Sequence, residues 1–203
     1  MGLPRQGQLD LFGAGPASAA GDHVPTALPL ARHQLLRWQQ GLADFQRPLH
    51  GSGAGVAQRS LFGAGGTDAA AAQAAVFDPL ALAPLNLQFW RWPEPPQQGA
   101  ALYVVMDRQP QLEHPLLLYV GETGCADRRW KGDHDCKTYL AAYDEALRRC
   151  GLASGLSIRF CSDVPGAVRP RRALEQALIR RWQPPFNKET RQRWATPFTA
   201  DPA

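Results

Sequence analysis

AALYVVMDRQPQLEHPLLLYVG, residues 100–121, sets the reading of the whole chain. Two short apolar runs, rich in Val, Leu and Tyr, flank a polar stretch that contains Pro110. Each run is too short for a helix and suits a buried strand, so Ala100–Met106 and Pro115–Gly121 are expected as strands. The connection is too short for a parallel crossover, which makes them an antiparallel pair. Downstream, Asp127–Trp130 and Thr138–Cys150 have helical texture. In the second of these, Tyr139, Leu140, Tyr143 and Leu147 fall on one face and Gly151 supplies the stop. Leu156–Cys161 alternates and gives a third strand. Val168–Trp182 is expected as a helix with Leu174, Leu178 and Ile179 inward, ended by Pro184-Pro185. The order β–β–α–α–β–α predicts a small α+β domain of about a hundred residues, a three-stranded antiparallel sheet flanked by helices.

Upstream the texture changes. Residues 1–75 are dominated by Gly, Ala, Pro, Ser and Gln, and GAGPASAAGDHVP and GSGAGVAQ read as flexible linkers that bury too little apolar surface to offset ordering entropy. One island interrupts them: Leu35, Leu36, Trp38, Leu42 and Phe45 predict a short amphipathic helix over Ala31–Gln46. The sequence leaves open whether it docks on the folded part or orders only with a partner. The expected organisation is a tail over 1–75, a domain over 76–195 and a disordered C-terminal tail over 196–203. In the whole chain 44% hydrophobic residues support a real core, while 19 Gly and 18 Pro among 203 residues mark segments that do not pack. A net charge of +4 permits a polyanion partner without requiring one. MGLPRQGQLDLF lacks the pattern of a signal peptide, and no stretch nears the roughly 20 apolar residues of a membrane helix. Four dispersed cysteines suit a reducing compartment. The expectation is a cytoplasmic protein with no membrane contact.

Several polar residues sit where a strand-and-helix core would not choose them. Tyr103 and Tyr119 fall within the two neighbouring strands, and Gly121 ends the second. Arg129 lies beside Arg128 and Lys131, and Glu175 belongs to a helix otherwise built from Leu, Ala and Arg. A carboxylate, a guanidinium and phenols near one sheet edge suit phosphodiester cleavage. The carboxylate holds a divalent cation through oxygen, and the arginine offsets charge on the phosphoryl oxygens. Taken singly, each residue also has an ordinary packing or ion-pair explanation.

The pair ALY (Ala101–Tyr103) and YVG (Tyr119–Gly121), then ADRRWKGDH, then LEQALIRRWQPPFN (Leu174–Asn187), resembles the GIY-YIG nuclease superfamily in order and spacing. The resemblance spans roughly Ala100–Lys188, and its ending is closest to the N-terminal nuclease of bacterial excision repair. It implies that Glu175 holds a single Mg²⁺ (or Mn²⁺), with water and the scissile phosphate as the other ligands. It implies that Arg129 stabilises the transition state, and that Tyr103 and Tyr119 orient or deprotonate the attacking water. Asn187 would brace the site, Gly121 would keep backbone clear of the cation, and His134 lies near where some members carry a catalytic histidine. Lys131, Arg171 and Arg172 are expected to contact DNA phosphates. One departure is Ala101, which stands where the first glycine of the GIY half is usual.

Cys125, His134, Cys136, Cys150 and Cys161 form a second cluster to weigh for zinc, but the close ligand pairs of structural zinc sites are missing. Zinc is not expected. In the tail, Gln8-Leu9-Asp10-Leu11-Phe12 recurs as Gln58-Arg59-Ser60-Leu61-Phe62, each copy followed by Gly-Ala-Gly. QLDLF resembles the pentapeptide that binds the bacterial sliding clamp, with QRSLF differing at its second residue. Leu11 and Phe12, or Leu61 and Phe62, would fill pockets, while Gln8, Leu9 and Asp10, or Gln58 and Ser60, complete the register. The functional expectation is a Mg²⁺-dependent DNA endonuclease recruited to the clamp and associated with the nucleoid. The alternative is a clamp-bound adaptor that grips DNA without cutting.

Overall fold

The structure, a computed structural model, describes residues 30–51, 66–91, 97–130 and 135–198. Its centre is an antiparallel sheet of β1 (Ala101–Asp107), β2 (Leu116–Thr123) and β3 (Leu156–Cys161), in the order β2-β1-β3. Around it, among the described residues, run α1 (Arg32–Gln46), α2 (Gly66–Val76), α3 (Ala126–Arg129), α4 (Asp135–Arg149), α5 (Val168–Trp182) and α6 (Arg191–Trp194). β1 is central and all seven of its residues are buried, hence its apolar run from Ala101 to Met106. One face packs Tyr103 and Val105 with Leu140, Tyr143 and Leu147 of α4. The other packs Leu102, Val104 and Met106 with Leu174, Leu178 and Trp182 of α5. The expected α+β class is the one observed.

Helix ends follow the local chemistry. Gly151 takes φ 62°, its N–H bonds to the Arg148 carbonyl at 3.1 Å, and the Leu152 N–H reaches the Leu147 carbonyl at 2.9 Å. This pair of bonds stops α4 with a left-handed residue. Gln183 stops α5 with φ 47°, immediately before the two prolines. α4 begins three residues earlier than its apolar pattern indicated, at Asp135.

The folded body starts well upstream of residue 76. Leu35 and Leu42 of α1 are fully buried in the cluster that contains Tyr143 and Phe186. Arg32 donates to the carbonyls of Cys150 and Gly151, both at 3.1 Å, and so covers the end of α4. Ala70 and Ala74 of α2 share a cluster with Leu174, Ala177 and Leu178 of α5. The helix over 31–46, whose docking the sequence left open, is therefore docked, and assignment to a flexible tail fails for 66–75. Alanine is common in linkers, yet it is also the strongest helix former and allows close helix contact, so composition misled at α2. The disordered tail expected over 196–203 is likewise corrected at its start. Thr196 is buried, and the Phe198 ring lies 5.2 Å from Trp38 and 5.3 Å from Tyr143. Both pentapeptides, Gln8–Phe12 and Gln58–Phe62, lie outside the described residues. The docked α1 between them means that no single coil joins the two.

β2 is an edge strand, and side chains from α1, from α5 and from the segment between α5 and α6 meet its outward backbone groups. Gln46 of α1 accepts from the Leu117 N–H at 2.9 Å and donates to the Leu117 carbonyl at 2.9 Å and the Trp182 carbonyl at 3.1 Å. Asn187 pairs in the same two-way manner with Val120, at 2.9 and 2.8 Å. Glu175 of α5 accepts from the Glu122 N–H at 3.0 Å. The uneven spacing has a cause: Val105 pairs with Tyr119 and Met106 with Leu117, so Leu118 is an extra, bulged residue. Edges closed in this way resist further strand pairing. Replacing Gln46 by leucine leaves an N–H and two carbonyls buried without partners, and is expected to destabilise the protein by roughly 2–4 kcal/mol. A urea midpoint unchanged to within about 0.5 kcal/mol, at constant m, would show that water reaches this edge instead.

Candidate active site

The same edge positions the chemistry. Because Glu175 is held by the Glu122 N–H, its carboxyl stands beside the end of β2, where the chain turns through Gly124 into α3. A cavity of about 430 Å³ opens there, lined by Tyr103, Tyr119, Glu122, Arg129, Arg172 and Glu175 together with Thr123 and Gly124. The four residues singled out for chemistry, Tyr103, Tyr119, Arg129 and Glu175, thus face one space.

Tyr103 is placed by its cross-strand neighbour. It pairs with Gly121 in the β1–β2 register, and a methyl group on Gly121 would overlap the phenol ring. Only glycine leaves room for that ring to lie across the strand. The ring stacks on Tyr119 at 6.0 Å and 29°, and meets the edge of Trp130 at 5.8 Å. Trp130 is itself buried and also contacts Phe89, so it fixes the end of the short helix α3 and the adjoining Arg129. The Arg129 guanidinium and the Tyr119 hydroxyl both donate to the Tyr103 oxygen. That oxygen is the point where the two strands and α3 converge.

Protonation follows from burial. Burial pushes the Tyr103 phenol well above its ordinary value, more than the Arg129 charge and the two donors lower it. Burial also raises Tyr119, helped by its neighbours Tyr103, Cys136 and Glu175. Both phenols are therefore neutral in the free protein near pH 7, the form in which they can orient a water. Burial would lower Arg129, but Tyr103, Tyr119 and Glu175 beside it outweigh that and raise it, so it stays cationic. The Glu175 carboxyl is pushed up to about 7, chiefly by burial and then by the charges of Glu122 and Glu189, against the Glu122 N–H and Arg172, which lower it.

Such a carboxyl fits a divalent cation. It supplies hard oxygen donors, one of its oxygens is fixed by a backbone N–H, and its anionic form lacks sufficient compensation from the protein alone. The adjoining 430 Å³ exceeds the volume of a six-water shell at about 30 Å³ per molecule. Among the described residues no three His, Cys, Asp or Glu side chains converge, so the fit rests on Glu175 with non-protein ligands.

The remaining site residues divide. Arg171, expected on DNA, is 2% exposed and engaged through Nε and Nη1. It donates to Glu122 Oε2 at 2.7 Å and to the carbonyls of Pro165 and Gly166 at 3.2 and 2.8 Å. With Nε and Nη1 both engaged and the side chain buried, its role is to anchor Glu122. Arg172 is 68% exposed at the cavity mouth and meets Glu122 Oε1 at 3.2 Å. The space at Gly121 serves the Tyr103 ring and not a cation. Asn187 uses its whole amide on Val120 and so braces the edge beside Glu175. Lys131 and His134 lie outside the described residues. Glu122 was missed from the sequence, although a charged residue near the end of an otherwise apolar strand was a legible signal. No family model, curated protein or solved structure matches the chain.

Proposed function

We propose that the chain is a GIY-YIG-type, divalent-cation-dependent DNA endonuclease, recruited through its N-terminal pentapeptides to the bacterial sliding clamp for repair or replication processing. The observation that carries this reading is the convergence of Tyr103, Tyr119, Arg129 and Glu175 on one cavity. Glu175 would hold Mg²⁺ or Mn²⁺, which when bound supplies positive charge against the phosphate oxygens. Arg129, cationic and hydrogen-bonded to Tyr103, faces the same space and stabilises negative charge that grows on the phosphoryl group. Tyr103 and Tyr119 direct a water toward the phosphorus through hydroxyls whose own positions are fixed by stacking and by Arg129. The exposed Arg172 receives a flanking phosphate. Among the described residues no helix is long and apolar enough to cross a membrane.

The test is a cleavage panel of flap, nicked, forked and plasmid DNA with Mg²⁺ or Mn²⁺, with and without clamp. Wild-type cutting that Arg129→Ala reduces by at least a hundredfold, about 2.7 kcal/mol, supports the enzyme. DNA binding with no cutting by any form supports the adaptor instead. Recruitment is tested separately by anisotropy of peptide 5–15 on purified clamp. Binding at low micromolar concentration that Phe12→Ala removes is expected, and none at tens of micromolar would remove the clamp from the proposal.

A further inference from the structure

The 430 Å³ cavity has a smaller neighbour of about 170 Å³, and the two share Tyr119 and Glu175 as a common wall. We treat them as two lobes either side of that wall, with different linings. The large lobe carries Arg129, Arg172, Glu122 and Glu175, and suits phosphate and a hydrated cation. The small lobe is lined by Tyr139, Phe186 and Ile179, with Asn187 below and Gln176 and Glu189 at its lip. Tyr139 and Phe186 stack on each other at 5.8 Å and 22°, and the Arg191 guanidinium lies over Tyr139 at 5.1 Å, so these rings form a fixed wall. Gln176 Nε2 donates to Glu189 Oε1 at 2.9 Å across the exposed lip, leaving donors and acceptors there for a ligand edge.

We propose that the small lobe binds a single unstacked nucleobase next to the cleaved phosphate, and that the substrate class is therefore DNA with unpaired nucleotides at the cut. This rests on the endonuclease reading. The volume of about 170 Å³ is on the scale of one flat base. Tyr139, Phe186 and Ile179, 8%, 2% and 1% exposed, give this lobe an apolar floor, and a polar rim that can read base edges surrounds it. Glutamine and glutamate are both competent readers of base edges. Lys188, which also lines this lobe, offers a cation for the phosphate that follows the base. A base still stacked in intact duplex cannot enter such a lobe without first leaving the helix, whereas an unpaired base enters at little cost.

The test uses the full-length protein and labelled oligonucleotides in EDTA, so that no strand is cut. Anisotropy compares a mixed-sequence single strand with the same strand carrying a run of abasic sites. Removal of the bases is expected to weaken binding about tenfold. Gln176→Trp, which fills the lobe from its lip, should produce a similar loss on the base-bearing strand, with its thermal midpoint checked to show that it folds. Equal affinity for the base-bearing and abasic strands overturns the proposal, whether or not the variant folds. The two readings separate. Cleavage of intact duplex as fast as flap DNA, with no abasic effect, leaves the nuclease and removes the base lobe. Base-dependent binding with no cleavage leaves the lobe and removes the nuclease.

Discussion

Glu175→Gln is expected to abolish cation-dependent cleavage while making the folded protein more stable above neutral pH. Glutamine keeps the oxygen that accepts from the Glu122 N–H but loses the charge that would hold Mg²⁺. A fall of at least a thousandfold in turnover, about 4 kcal/mol, is expected. The stability effect has the opposite sign. The folded carboxyl titrates near 7 against an ordinary 4.5, so the native state binds the extra proton between those values. Unfolding free energy must then fall as pH rises from 4.5 through 7, because deprotonation is easier in the unfolded chain. The full shift would amount to about 3 kcal/mol. Partial exposure and solvent screening reduce the expectation to roughly 1–3 kcal/mol at pH 8. Wild type and variant should coincide near pH 4.5 and diverge above it. Adding Mg²⁺ should raise the wild-type midpoint toward that of the variant and leave the variant unmoved, since a ligand bound only to the native state stabilises it. Parallel stability curves from pH 4.5 to 8 would show that Glu175 is neither buried enough nor crowded enough to serve as described.

Gly121→Ala should damage stability and site together. Its methyl would collide with the Tyr103 ring, which is 1% exposed and held between Tyr119, Trp130 and Phe160. A ring so enclosed cannot retreat, and overpacking of this kind destabilises by roughly 1–3 kcal/mol. The thermal midpoint should drop by about 3–10 °C for a chain of this size. Turnover should fall as well, because displacing the Tyr103 oxygen breaks its bonds with Arg129 and Tyr119. The cause can be isolated by a double-mutant cycle. In a Tyr103→Leu background the alanine should be tolerated, giving a coupling of about 1–2 kcal/mol. Additive effects of the two changes would mean that glycine is needed at 121 for a reason other than the ring.

The core elements were legible because their signals are local. Ala101–Asp107 and Leu116–Thr123 are short apolar runs interrupted by a proline-containing loop, and Val168–Trp182 combines one apolar face with a double-proline stop. α1 was visible as a helix, but its docking was not. Its buried stripe is Leu35, Gln39, Leu42 and Gln46, and a hydrophobic pattern does not count the two glutamines. Gln39 donates to the Tyr143 hydroxyl at 2.6 Å, which in turn donates to the buried Asp107 at 2.7 Å. Polar burial of this kind has value only when its partners are present. The candidate site was similarly half legible. Residue types and their order named Tyr103, Tyr119, Arg129 and Glu175, while no local signal distinguished the enclosed Arg171 from the exposed Arg172 one position along.

By itself, then, the sequence determined the strands, the helices α1, α3, α4 and α5, their order and the chemical groups on offer, since these depend on periodicity, turn residues and side-chain type within a few positions. The tertiary structure alone decided that α1 and α2 belong to the body and that Arg171 is an internal anchor. It also decided that Gly121 yields its space to a phenol and that Glu175 closes the edge of β2 while its carboxyl is pushed up toward neutrality. Those outcomes depend on burial and on partners distant in the chain, because a hydrogen bond or a charge acquires its energy from what surrounds it in space.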